Sequence, residues 1–173
     1  MAIRLSQKKK SVLVAIHVLS VASWIGGTLA MLLLTAFLSK GANGEQLLYT
    51  MESMKIIDEN LLKYPALLSL FTGIMLSVWT QWGLVKHYWV IIKLVLTVLT
   101  IMIGILFLSK WTAGLGEIIS DMGFLALKDE QFKSTWTSIL MTSSFNLFCL
   151  GFMTFITYLK PFGKVKRNNQ QRG

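Results

Sequence analysis

Charge is scarce in this sequence and unevenly placed. Only 14% of its 173 residues are charged, where a soluble domain carries about a quarter. The shortage is local: long stretches hold almost no ionisable side chain, and a soluble protein could not cover its surface with them. Other absences narrow the chemistry. A single cysteine, Cys149, excludes a disulfide within the chain and leaves the redox compartment open. There is no CxxC pair, no Walker phosphate loop and no dinucleotide-binding glycine pattern after a strand. No internal repeat stands out, and low complexity is confined to the basic C-terminal tail. No acid lies inside an apolar stretch, which argues against a carboxylate proton relay.

Apolar residues fill the space. They make up 54% of the chain, and the mean hydropathy is +0.60. Four stretches reach the roughly 20 residues that a helix needs to cross a bilayer core about 30 Å thick. They run over about 11–38, 64–80, 88–109 and 135–159. His17 is the only ionisable side chain in the first and Lys93 the only one in the third. None alternates as a membrane strand would, and they are too few for a barrel. Backbone groups in lipid must satisfy one another, so the spans are predicted to be helices. The expected fold is all-α: one polytopic membrane domain over 1–173, a four-helix bundle with basic tails at 1–10 and 160–173. The first stretch follows a basic start but is too long for a signal-peptide core, so it is read as a retained span.

Charge sign then orients the chain. Arg4, Lys8, Lys9, Lys10, Lys86, Lys160, Lys164, Lys166, Arg167 and Arg172 fall on the tails and the short link between spans two and three, with no acid among them. The other two links hold Lys40, Lys55, Lys63, Lys110, Lys128 and Lys133 and all eight acids. With four spans, both tails and the short link share one side. The positive-inside rule makes that side cytoplasmic. A pI near 9.8 is accounted for by these flanking bases, which fix topology and touch anionic lipid, so no nucleic-acid partner is expected. On the outer side, Leu47, Leu48, Met51, Met54, Ile57, Leu61 and Leu62 predict a short amphipathic helix on the membrane surface, entered through the turn 41–44. The segment 111–133, with Gly114, Gly116 and Gly123, reads as a loop with a short interfacial helix.

Two residues are costly in lipid and therefore informative. His17 lies about six residues into span one and Lys93 about five into span three. Both spans are entered from the cytoplasm, so both residues sit roughly 8–10 Å inside one leaflet. His17 shares a helical stripe with Ser20, Trp24, Gly27, Thr28 and Met31, and Lys93 shares one with Thr97, Thr100 and Gly104. Span two offers Ser69, Thr72, Gly73 and Thr80, and span four Thr142, Asn146, Cys149 and Met153. Such stripes also serve plain helix packing. Lys93 would then snorkel to the interface, and His17 and Asn146 would hydrogen-bond neighbouring helices. The functional reading makes His17 an axial ligand of haem iron and Lys93 the partner of a propionate, an anionic substrate or a proton. His87 and Met153 are the candidates for a sixth ligand.

At these residues the chain resembles a superfamily of small bacterial membrane proteins, that of the HemJ-type protoporphyrinogen oxidase and the CopD-type copper-resistance protein. The resemblance rests on His17-Val-Leu-Ser-Val-Ala-Ser-Trp24-Ile-Gly-Gly27, on Tyr64-Pro65, on Gly73 and on Trp89-Val-Ile-Ile-Lys93-Leu94. It covers residues 11 to 108. The HemJ pattern also has an arginine and a second histidine later in span one and a histidine late in span three, positions that are apolar here. The HemJ branch implies haem b ligated by His17, with Lys93 its functional partner. The cofactor-binding set expected on this reading is His17, Lys93, Trp24 and Trp89, with His17 the metal ligand. The CopD branch implies copper handling, for which Met51, Met54 and Met122 are the nearest outer thioethers. The expected function is therefore haem-linked or redox chemistry, as a homo-oligomer or with a membrane partner protein. The rival is a non-enzymatic module: a partner subunit, a small transporter (of copper, for example) or a lipid-binding protein. The sequence leaves open whether the protein is an enzyme.

Overall fold

The computed structural model describes residues 6–80, 83–161 and 163. The tail bases Arg4, Lys164, Lys166, Arg167 and Arg172 lie outside the described residues. Among the described residues there are six α-helices: α1 Gln7–Leu38, α2 Gly44–Ile57, α3 Tyr64–Trp79, α4 Tyr88–Ile103, α5 Ser109–Met122 and α6 Glu130–Leu159. A π-helical turn, Asp58–Lys63, joins α2 to α3, and another, Gly104–Leu108, joins α4 to α5. A 3₁₀ turn, Gly123–Lys128, follows α5. The chain thus forms four long helical rods, Gln7–Leu38, Gly44–Trp79, Tyr88–Lys128 and Glu130–Leu159, each long and apolar enough to cross a membrane. They run up and down, α1 packing on α3 and α6, and α4 packing on the same two.

Two expectations are corrected. The segment from Gly44 is no separate helix lying on a surface: it is the first half of the second rod. Its apolar residues Leu47, Met51 and Met54 are buried in protein. The segment 111–133 is mostly helix as well. Thr112, Leu115 and Ile119, three and four apart, bury one face of α5, and this tertiary burial overrides the weak helix propensity of Gly114 and Gly116. Rods of 36 and 41 residues are about 54 and 62 Å long, so the bundle continues well past the length of a bilayer core.

Local chemistry sets the ends. Asn43 caps α2 by accepting from the Gln46 N–H at 2.8 Å, while Gln46 Oε1 accepts from the Ala42 N–H at 2.8 Å. Asp129 caps α6 by accepting from the Phe132 N–H at 2.8 Å. Gly123 ends α5 with φ of 56°, a conformation that suits glycine.

The first π turn has an identifiable cause. Pro65 brings no N–H, and its ring crowds the carbonyl four residues back, that of Leu61. The helix widens there instead of breaking. The displaced Leu61 carbonyl lies against α1 at Gly27, where a Cβ would stand 2.9 Å from the carbonyl oxygen. Only a glycine admits that approach.

Cores differ along the bundle. At the end opposite the termini, called distal below, Leu38, Leu47, Met54, Leu115, Ile119, Phe132 and Ile139 form a dense cluster with almost no exposure. Trp136 ties it to α1, its indole N–H donating to the Thr35 carbonyl at 2.7 Å. Nearer the termini the clusters are small: Trp24, Ala66, Leu150 and Met153, then Trp89, Val90 and Ile156.

Candidate functional site

The half of the bundle nearer the termini holds a partly open cavity of about 520 Å³ among α1, α3, α4 and α6. Its walls are mainly apolar. His17 and Lys93, from different rods, both line it, and so do Trp24 and Trp89. All four residues of the expected set therefore meet in one space.

Each of the two ionisable residues is held by a threonine. The Thr72 hydroxyl donates to the Leu68 carbonyl at 2.7 Å, as helical threonines do, so its oxygen is left to accept. His17 Nδ1 lies 2.9 Å from that oxygen and is the donor. A neutral His17 consequently carries its proton on Nδ1 and a lone pair on Nε2. Gly73, one residue on, keeps the ring's edge clear: a Cβ there would stand 3.3 Å from His17 Cε1. On the opposite wall the Thr157 hydroxyl donates to the Met153 carbonyl at 2.8 Å, and its oxygen accepts from Lys93 Nζ at 2.6 Å. Lys93 is thus directed across the bundle to α6. Thr157 lies in the last turn of α6, so the Lys93 head group is turned toward the terminal end of the bundle, as the snorkelling alternative also expects.

The electrostatics are one-sided. Lys10, His17 and Lys93 line the cavity, and among the described residues no acidic side chain does. Lys93 is half-buried, and among the described residues no acid in the lining offers its ammonium a counter-charge. The cavity therefore combines largely apolar walls with basic side chains.

Other sequence candidates fall elsewhere. Met153 is in the cavity wall, its sulfur accepting from the Thr97 hydroxyl at 3.4 Å. His87 caps α4, its ring 6.3 Å from that of Trp89, and is not part of the lining. Met51 and Met54 are buried in the distal core, while Met122 is exposed. Among the described residues no three of His, Cys, Asp and Glu gather as a metal-ion cluster. Asn146 is buried on α6, but its Oδ1 has no hydrogen-bond partner, so the expected interhelical bond is not made through that atom. Thr157 was not singled out from sequence. The signal was present, since it lies four residues beyond Met153 on the same stripe.

Fold and site together define an all-α four-rod bundle with an apolar, cation-bearing cavity between its rods. Comparison with protein-family models, with curated proteins and with solved structures finds no match for this chain. The resemblance to the HemJ and CopD proteins therefore rests on the quoted motif residues alone.

Proposed function

We propose that this is a polytopic protein of a bacterial plasma membrane, with both termini cytoplasmic, that binds haem b in the cavity of its inner-leaflet half. The charge pattern supports the orientation. Every acid of the sequence lies on α2, the Asp58–Lys63 turn, α5 or the start of α6, all at the distal end. Lys8, Lys9, Lys10, Lys86 and Lys160 flank the other end. Large apolar side chains such as Leu19, Phe71, Val95, Phe148 and Phe155 are exposed on the rods, as contact with lipid requires.

The observation that carries the haem reading is the pair of threonine-held residues in one cavity. A histidine whose Nδ1–H is fixed by a hydrogen bond presents Nε2 as a ligand with set orientation, the arrangement found around metal-bound imidazole. Lys93 supplies the cation for a propionate, and Trp24 and Trp89 supply flat apolar wall. Haem bound there would supply one-electron redox chemistry. The chain's own part is to ligate through His17, to neutralise one carboxylate with Lys93 and to exclude bulk water with the apolar walls.

The visible spectrum of detergent-purified protein after haem supplementation tests this. A stoichiometric Soret band is expected, lost or shifted in His17→Ala and weakened in Lys93→Ala. No band, or one unchanged in His17→Ala, would sink the reading.

A further inference from the structure

The large cavity has a side entrance. Its exposed lining residues are Val14, Val18 and Ala22 on α1, Ile74 on α3, and Thr154 and Tyr158 on α6. Those on α1 recur every four residues and those on α6 are four apart, so each of these rods turns one stripe to the opening. The wall on α4 has no exposed residue. α1 and α6 are neighbours, tied at the distal end by the hydrogen bond from Trp136 to Thr35. The cavity therefore opens sideways along the seam between α1 and α6, which faces lipid on the membrane placement proposed above.

Its chemistry is graded along its length. The terminal end holds the cations. Lys10 lies in the first turn of α1, and Lys93 Nζ reaches Thr157, in the last turn of α6. Thr157 accepts one of the three ammonium protons. The distal end is apolar, walled by Trp24, Ile25, Leu70, Leu150 and Met153. Hydroxyls there keep their protons within the protein: Ser69 donates to the Ala66 carbonyl at 2.8 Å and Thr97 to the Met153 sulfur at 3.4 Å. From Lys10 to Trp24 the cavity follows α1 for about 21 Å. That is close to half of the roughly 40–45 Å of a bilayer with its headgroup layers.

Cations at the water end, apolar walls inward, a lateral slot and the depth of one leaflet complement an acyl chain that carries an anionic head. The slot favours a two-chain lipid, since one chain can enter while the other stays in the bilayer. Anionic phospholipid is also what a cytoplasmic leaflet supplies. We infer that the cavity takes an acidic phospholipid from the inner leaflet, its phosphate held by Lys10 and Lys93 and one acyl chain drawn through the α1–α6 seam toward Trp24. The inference rests on the membrane placement and not on haem. Lipid and haem would claim the same space, so the lipid is the occupant of the haem-free protein.

Haem-free protein in phosphatidylcholine vesicles tests it, with a small share of the lipid carrying a brominated chain, a contact quencher of tryptophan emission. Flotation with the vesicles checks the membrane placement separately, and the Soret band checks haem. Trp24 is 6% exposed, so a chain reaches it only from within the bundle. Its own signal is the difference between wild type and Trp24→Phe. Brominated phosphatidylglycerol should quench that signal several-fold more than brominated phosphatidylcholine at the same share. Lys10→Met combined with Lys93→Met should bring the two lipids level. Ala22→Phe, at an exposed position in the seam, should protect Trp24 from both. Equal quenching by the two lipids, a preference that survives loss of both lysines, or no quenching of Trp24 overturns the proposal. So does relief of the quenching by free oleate at levels where unbrominated phosphatidylglycerol gives none, which would make the guest a fatty acid. Native mass spectrometry of the unaltered chain needs no variant: it should retain phosphatidylglycerol over phosphatidylcholine, and equal retention overturns the proposal.

Discussion

The two ends of this bundle are built to different standards. The distal end is tightly packed, with Leu47, Met54, Leu115 and Ile119 fully buried. The end nearer the termini surrounds a cavity of about 520 Å³. In the membrane reading proposed above, the difference has one cause. The distal rods project into water, where burying apolar surface stabilises by about 25 cal/mol per Å². The other half lies in lipid, where apolar side chains gain little by leaving the solvent and packing rests on van der Waals contact and hydrogen bonds. The wet end can hold the rods together while the lipid end stays open for a ligand.

The largest expected effect tests that division directly. Leu115→Ala, in the distal core, should cost about 2–5 kcal/mol in thermal or denaturant unfolding in detergent. Leu94→Ala, on the cavity wall, should cost less than about 2 kcal/mol because it enlarges an existing space. The reverse order would break the comparison.

Next comes the junction of the halves. Gly27→Ala places a methyl group 2.9 Å from the Leu61 oxygen, with backbone on both sides, and should destabilise by about 1–3 kcal/mol. Pro65→Ala removes the cause of the widened turn. In the double variant the penalty at 27 should shrink, giving a non-additive cycle in the same unfolding assay. Strict additivity would show that the turn does not depend on Pro65.

A smaller loss, about 1 kcal/mol, is expected for Asp129→Ala, which leaves the Phe132 N–H uncapped at the distal start of α6. Smallest in stability and largest in function is Lys93→Met. It removes a half-buried cation without an acidic partner in its cavity, so the unfolding midpoint should hold or rise while retention of an anionic ligand falls. A collapse in stability would mean that Lys93 is structural.

The terminal half was the more legible of the two from sequence. Depth along two helices sufficed to bring His17 and Lys93 to one level, and small-residue stripes correctly picked Ser20, Trp24, Gly27, Thr28, Ser69, Thr72 and Thr100 as buried. Charge scarcity marked the four spans. The distal half was misread because charge there follows solvent, not secondary structure. Glu117 and Asp121 sit on the outer face of a helix whose other face is core, and glycines at 114 and 116 resemble loop punctuation until Leu115 and Ile119 find Met54 and Leu47. Asn146 was legible as polar and buried. That its oxygen lacks a partner depends on what the other rods place opposite it, and spacing along α6 carries no such information.

The contact of the Leu61 carbonyl with Gly27 has a bearing on descent. One position supplies the obstacle and the other the room for it, so a lineage that loses the proline at 65 frees position 27 to acquire a side chain, whereas a change at 27 that comes first carries the steric penalty. Among sequences related to this one, the two positions should vary as a pair although 38 residues separate them.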